Sequence, residues 1–425
     1  MPPKKTAKRG ASAPMKGPKA AKQLKSEEKD APIPDYISSV LTCGQGDVGQ
    51  LGLGENVVEK TRPAAIQGYQ DIVAIAAGGM HSVCLTMSGK VLTFGCNDEG
   101  ALGRDTSNEG SEACPGFVTL PKKAIQVTAG DSHSAALLDD GSIYAWGSFR
   151  DSHGGMGLTI RGKEQLPTEI LPMFKVTKIA SGTDHLVMLI ENGYVYTCGC
   201  GEQGQLGRLG PRSANRNSRR GLSALLTPGL VEFKITRKIE CNDIWAGSYC
   251  TFAKHRQKGD IYAFGLNNYY QLGLEDTAVY YFPQRSKIFS GRTWKRISSG
   301  QHHSVALDDM GQVFVIGRKE YGRLGLGPQC SDAKELILVP GLSSMKCVDI
   351  ATGTAQSFAV TDSGKMYSWG MGSSGQLGTG NESDAEEPVL VQARNLEGQC
   401  VIAVSGGGQH TMILAVPNVR NENSS

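Results

Sequence analysis

The chain has 425 residues, 39% of them hydrophobic, with 55 glycines. It can bury a large core, and no run of about 18 apolar residues is present that would cross a membrane as a helix. Its 44 basic and 41 acidic residues leave a net charge of +3, and its eleven cysteines are scattered without Cys-x-x-Cys or zinc-type spacing. Neither a disulfide framework nor a zinc site is expected, and the thiols read as reduced, as in an intracellular protein.

Residues 1–37 form a distinct basic arm. Lys4, Lys5, Lys8, Arg9, Lys16, Lys19, Lys22 and Lys25 all precede the first acid, Glu27. To position 30, nine basic and three acidic residues give +6, which leaves −3 for the remainder. Alanine, proline and glycine fill the gaps, so the arm is expected to stay unfolded. It suits a nuclear import signal, a contact to DNA phosphates, or both. The sequence shows no secretory signal pattern.

From Gly44 onward a block Gly-x-x-x-x-Gly-x-Leu-Gly, or a near copy, recurs seven times, starting at Gly44, Gly95, Gly147, Gly199, Gly265, Gly317 and Gly370. In step with it runs Gly-x-x-His or a variant, starting at Gly78, Gly130, Gly182, Gly247, Gly300, Gly353 and Gly407. Two markers in phase mean stacked copies of one supersecondary unit. Each unit reads as four short strands: after Gly130, for example, Ser-Ala-Ala-Leu-Leu, a turn at Asp140-Gly141, then Ile-Tyr-Ala-Trp. No useful helical periodicity is present. The reading is all-β: a seven-bladed propeller over 38–416, with 417–425 an unfolded tail. The first glycine block has no Gly-x-x-His before it and the last Gly-x-x-His has no block after it. Val40-Leu41-Thr42-Cys43 and Met412-Ile413-Leu414-Ala415 should therefore share one blade and close the ring.

Two departures stand out along the chain. The third glycine block, Gly147 to Gly157, is two residues longer than the other six, so Phe149 to Met156 should protrude from one face. The gap from Gly199 to Gly265 spans 66 residues where its neighbours span 52. It holds a basic insertion near 209–224, and from Gln203 to Val231 there are five arginines (Arg208, Arg212, Arg216, Arg219, Arg220) and no acid. Arginine suits forked pairing with carboxylate or phosphate. Asp131, Asp184 and His302 vary in what reads as the loop before the innermost strand. Asp47, Asp98, Glu202 and Glu320 fall at one position of the block, where they could give a propeller mouth negative potential. Asp and Asn also favour turns for their own sake.

Motifs that mimic catalysis are part of the repeat. Gly44-Gln-Gly46-Asp-Val-Gly49 matches the dinucleotide fingerprint, but no βαβ unit surrounds it. The five repeat histidines, His81, His133, His185, His303 and His410, come from different blades, so no metal is expected. They are read as hydrogen-bonding backbone groups within their own blades. No nucleophile elbow is present, and covalent chemistry is not expected.

The most specific stretches are Cys43-Gly-Gln-Gly-Asp-Val-Gly-Gln-Leu-Gly-Leu-Gly54, Phe94-Gly-Cys-Asn-Asp-Glu-Gly-Ala-Leu-Gly-Arg-Asp105, Trp146-Gly-Ser-Phe-Arg-Asp151 and Glu320-Tyr-Gly-Arg-Leu-Gly-Leu-Gly327. In these, and over all seven repeats, the chain resembles the regulator of chromosome condensation family, chromatin-bound guanine-nucleotide exchange factors for the small GTPase Ran. The resemblance implies an exchange face of Asp47, His81, Asp131, Asp184, Arg208, His302 and His410. It implies a wedge from Phe149 to Met156, including Arg150 and Asp151, that pries at the GTPase's nucleotide site. Arg216, Arg219 and Arg220 would bind histones and the eight arm residues named above would bind DNA. The implied partners are Ran, the nucleosome (the acidic surface of a histone dimer, and DNA) and a nuclear import receptor reading the arm. Neither cofactor nor membrane is implied, and the location would be nuclear, on chromatin. Family N-termini are methylated on the α-amine of an Xaa-Pro-Lys start, which Pro2-Pro3-Lys4 fits. The family carries a glutamate just beyond the wedge, where this chain has Ile160. A propeller scaffold without exchange activity is the alternative.

Overall fold

The computed structural model describes residues 37–233 and 239–418. Pro2 and all eight arm residues assigned to DNA lie outside the described residues.

Between Ser39 and Pro417 the described residues form seven four-stranded antiparallel sheets and one two-stranded hairpin. This is a seven-bladed β-propeller. Blade 2 illustrates the plan: Ala124–Ala129, His133–Leu138, Ile143–Gly147 and Glu164–Ile170 run from the centre outward. The first strands of the seven blades line a central channel of about 1060 Å³. Blade 7 is built by both ends of the chain, in the order Gln399–Gly406, His410–Pro417, Ser39–Gln45, Glu59–Ala65. Val40 lies opposite Leu414 and Thr42 opposite Met412. Closure pairs Ser39–Gln45 with His410–Pro417, whose facing edges would otherwise be exposed.

The core consists of seven apolar layers, each sandwiched between two neighbouring blades. Second strands are buried along most or all of their length, and alternate residues face opposite neighbours. In His81–Thr86, Val83 and Leu85 pack with Ala136 and Leu138 of blade 2, whereas Cys84 packs with Met412 and Leu414 of blade 7. This corrects one sequence expectation. Asp131, Asp184 and His302 follow the innermost strand and do not precede it. The wholly apolar run, being covered on both faces, belongs second, and the partly polar run Ala124–Ala129 borders the channel.

The repeat histidines correct another. Each crosses to the next blade instead of bonding within its own. His81 Nε2 lies 2.8 Å from Ser134 Oγ, His133 Nε2 3.0 Å from Ser181 Oγ, and His185 Nε2 2.9 Å from Thr251 Oγ1. His303 Nε2 reaches Ser357 Oγ and His410 Nε2 reaches Ser82 Oγ, both at 2.9 Å, the latter across the closure. Where the histidine is missing, Gln356 Nε2 donates to the carbonyls of Gly407 and Gly408, and Cys250 pairs with Ser299. Several of the hydroxyls donate onward to backbone carbonyls, Ser134 to Ala101 and Ser82 to Gln50. They must then accept from the ring, which places the proton on Nε2. Glycine opens the first position of the motif because of this ring: a Cβ on Gly182 would sit 2.1 Å from His185 Cε1.

Burial holds these imidazoles neutral, pushing His81 down to about 4 and His133, His185 and His410 to about 3. In the unfolded chain they take up protons below about 6.5. Their contribution is therefore complete above that pH and is lost as pH falls toward 3–4, at on the order of 1 kcal/mol per histidine per pH unit. Urea midpoints should fall steeply from pH 7 to pH 5, above the range in which ordinary carboxylates titrate. His303→Gln, borrowing blade 6's own solution, should flatten that slope. A midpoint indifferent to pH in this window would refute the neutral clasp.

Candidate functional site

At one mouth of the channel most x residues of the Gly-x-x-His segments are displayed, Ser132 and Ala355 being buried. Glycine and histidine are locked in the clasp, which leaves the residues between them to form the rim. The mouth carries Asp131, Asp184, Tyr249, Gln301 and His302, with Glu202 and Asn268 from adjoining glycine blocks. Arg150, Asp151 and Ser152 lean in from the long third block.

That block forms a hairpin, Phe149–Asp151 paired with Gly154–Gly157. Its ends are anchors: Phe149 and Met156 are 0% and 4% exposed and join the layer between blades 2 and 3. Phe149 stacks at a tilt on His133, centroids 4.6 Å apart. Neither side chain is available to a partner, which revises their implied role as wedge surface. Arg150, Ser152 and His153 are exposed.

Three groups hold the hairpin. The Arg150 N–H donates to Asp184 Oδ1 at 2.8 Å. Ser152 donates from N and Oγ to the two oxygens of Glu202 at 3.0 and 2.6 Å. Arg216, from the insertion, forks onto Asp151. The side chain of Asp151 is 1% exposed and that of Arg216 is 20% exposed. Arg219 and Arg220 are exposed, so the arginines implied for histones divide: one turns inward and two face solvent. Ligand-type atoms of Asp151, His153 and Glu202 lie within 4.8 Å of one another, but Arg216 and Ser152 already engage both carboxylates.

The remaining residues of the implied face lie elsewhere. Arg208 is structural: its guanidinium donates to the carbonyls of Thr197, Leu225 and Thr227. Arg104 makes the equivalent bonds to Thr93, Ser111 and Cys114. His81 and His410 are clasp residues, 1% and 0% exposed. Asp47 is exposed and accepts from Gln50 Nε2 in its own turn. Asp131, Asp184 and His302 do converge at the mouth, with Arg150 and Asp151. In the sequence Glu202 reads as one of four equivalent acids, and nothing around it distinguishes it as the hairpin's grip. Tyr249 and Gln301 are legible there as x residues of the motif.

Asp184 is the electrostatic centre. Burial and the neighbouring Asp131 push its carboxyl up to about 7, against the pull of the Arg150 N–H. His302 is pushed down by burial and by Arg323 and Arg318. Its ring meets Tyr269 edge-on at 5.2 Å.

The fold and mouth together define a class: a closed propeller with one braced hairpin beside its channel. The RCC1-like domain family matches residues 39–413. The regulator of chromosome condensation of Mus musculus is 48% identical over 97% of this chain and 98% of its own length. The guanine nucleotide exchange factor SRM1 of Saccharomyces cerevisiae is 29% identical over 88% of this chain and 86% of its own. The crystal structure of Prp20p from Saccharomyces cerevisiae, described with its binding to Gsp1p and histones, superposes with a TM-score of 0.81 at 28% identity, covering 90% of this chain and 92% of that one. The chain belongs to the regulator of chromosome condensation family.

Asp184→Asn should separate stability from function. It keeps an acceptor for Arg150 and removes the charge. In wild type the folded state holds the Asp184 proton to about pH 7, whereas the unfolded chain releases it near 4. Wild-type stability from this group therefore falls as pH rises through that window. The asparagine variant should be more stable than wild type at pH 8 and close to it at pH 4, by denaturant titration. Lower stability at pH 8 would mean that the ionised carboxylate supports the fold.

Proposed function

We propose that this protein promotes GDP/GTP exchange on the small GTPase Ran while bound to chromatin in the nucleus. The observation that carries this reading is the hairpin at the mouth: it occurs in one blade of the described residues, is anchored in the core and presents a polar tip. Membership of the family, the exchange-factor name of one relative and the binding of Gsp1p and histones by Prp20p support it.

A GTPase holds nucleotide through phosphate and magnesium contacts. An exchanger accelerates release by stabilising the empty form. Asp131, Asp184 and His302 dock the GTPase, and the tip at Arg150, Ser152 and His153 displaces its phosphate-binding segment. Nucleotide in turn weakens the exchanger by the same factor. No covalent bond forms; each ~1.4 kcal/mol removed from the release barrier is about tenfold in rate. Direction comes from the excess of cellular GTP over GDP. Arg219 and Arg220 take the acidic surface of a histone dimer by forked pairing. The lysine arm takes DNA phosphates and is read by a nuclear import receptor.

Catalytic amounts of the protein should speed release of labelled GDP from purified Ran. Deleting Ser152 and His153 restores the eight-residue span of the other blocks and keeps both anchors; Ran binding should persist and acceleration should be lost. Normal exchange by this variant would leave the hairpin a structural ornament, and no acceleration by wild type would favour a scaffold. On chromatin, deleting residues 2–25 should weaken binding to free DNA and nucleosomes alike, and the salt dependence should become shallower by about 0.9 for each phosphate no longer neutralised. Arg219→Ala with Arg220→Ala should weaken nucleosomes selectively; equal losses on both targets would show that these arginines read phosphate.

A further inference from the structure

We propose that Arg216 is a positioning residue of the hairpin, so that the basic insertion is part of the exchange machinery; this rests on the function proposed above. Strands of three and four residues, with glycine at 154, 155 and 157, cannot hold a hairpin by themselves. Its shape must come from outside. Asp184 and Glu202 fix the first strand and the tip, and Arg216 reaches both strands. Its Nε donates to Asp151 Oδ2 at 2.5 Å and its Nη2 to Oδ1. The same Nη2 lies 3.0 Å from the Gly154 carbonyl oxygen and 3.3 Å from that of Gly155. One guanidinium thus ties an acid on the first strand to carbonyls on the second, a task that needs a planar fork and not a point charge.

The insertion is built to deliver it. Ala214, Leu225 and Leu226 are buried, and the two leucines belong to the same apolar layer as Phe149 and Met156. A Cβ on Gly201 would meet Leu225 and Ala214 at 3.1–3.2 Å, so the insertion sits directly on the glycine block that carries Glu202. Arg208 fastens its far end through the Leu225 and Thr227 carbonyls. Losing Arg216 would leave Asp151 buried without its cation, and the carboxylate would regain water by moving the hairpin.

Arg216→Ala and Asp151→Asn should each lower kcat for GDP release about tenfold or more, with KM for the GTPase within about twofold, because a misplaced wedge loses rate before docking. The double variant should lose no more than the worse single one. Arg216→Lys should recover part of the rate, and Arg212→Ala, also in the insertion, should leave it unchanged. Amide hydrogen exchange across 150–155 reads the positioning without any GTPase: it should quicken in Arg216→Ala while thermal melting stays within a few degrees of wild type. Wild-type protection of these amides in Arg216→Ala would overturn the proposal whether or not the protein acts on Ran. A rise in KM at unchanged kcat would overturn it too, since it would make Arg216 a docking contact. If wild type accelerates no release but the amides still lose protection, the functional reading fails and the brace stands.

Discussion

Every other feature of this molecule depends on a buried side chain that crosses from each blade to the next. Backbone hydrogen bonds also join each blade to the next, such as that from Asp131 N–H to the Thr183 carbonyl at 2.7 Å and that from Val176 N–H to the Gly141 carbonyl at 2.9 Å. The relative angle of the blades rests on these bonds, on the apolar layers and on this polar ring. Hydrophobic layers are tolerant of sliding; a hydrogen bond between a rigid imidazole and a hydroxyl that is itself committed to a carbonyl is not. The ring fixes rotation, and the layers supply most of the cohesion. Closure through blade 7 needs the same device, and His410 to Ser82 supplies it next to the seam where the two ends of the chain pair.

The clasp also determines where function can reside. Glycine is held by steric contact with the crossing side chain, and histidine gives way only to a residue that keeps a bond to the neighbour, as Gln356 and Cys250 do. Most of the residues between them are free of both duties and face the mouth, although Ser132 and Ala355 are buried. The seven segments surround one opening and bring to it Asp131, Asp184, Tyr249, Gln301 and His302. Gly199 adds a second constraint beside Asp184: at φ +116°, a Cβ there would meet the Asp184 carbonyl oxygen at 2.4 Å. Asp184 is thereby pinned through its backbone, and its carboxylate is aimed at the base of the hairpin.

The sequence made the architecture legible because repeat spacing is a one-dimensional property: seven blocks, their phase and the shared blade follow from counting. The long third block likewise announced a protrusion by its length. Direction was not legible. An apolar run does not say whether it is first or second from the axis, and the channel here inverts the order that the run suggests. A histidine does not say which blade its ring enters. The arginines show the limit most clearly. Arg208, Arg216 and Arg219 are chemically alike and lie within twelve residues, yet one fastens carbonyls, one braces an acid and one meets solvent. What separates them is the path of the insertion over blade 3, which is a long-range packing outcome set by Leu225, Leu226 and Ala214 and not by local composition.

Charge at the mouth is arranged as a balance that folding alone would not favour. Burial, and then the neighbouring Asp131, push the Asp184 carboxyl up. Tyr249 is pushed up by its burial and by the same two acids. A protein under selection for stability alone would replace one of the carboxylates with asparagine. Retaining both concentrates negative potential at the place where the hairpin's Arg150 emerges, so the mouth presents an acidic floor beside a basic finger. The Arg216–Asp151 pair keeps this arrangement from collapsing: with Asp151 neutralised inside the hairpin, Arg150 is left without a strong partner on its own strand and points outward. Stability is given up at the acids, recovered in the seven layers, and the difference is a mouth that holds its charged groups in place before any partner arrives.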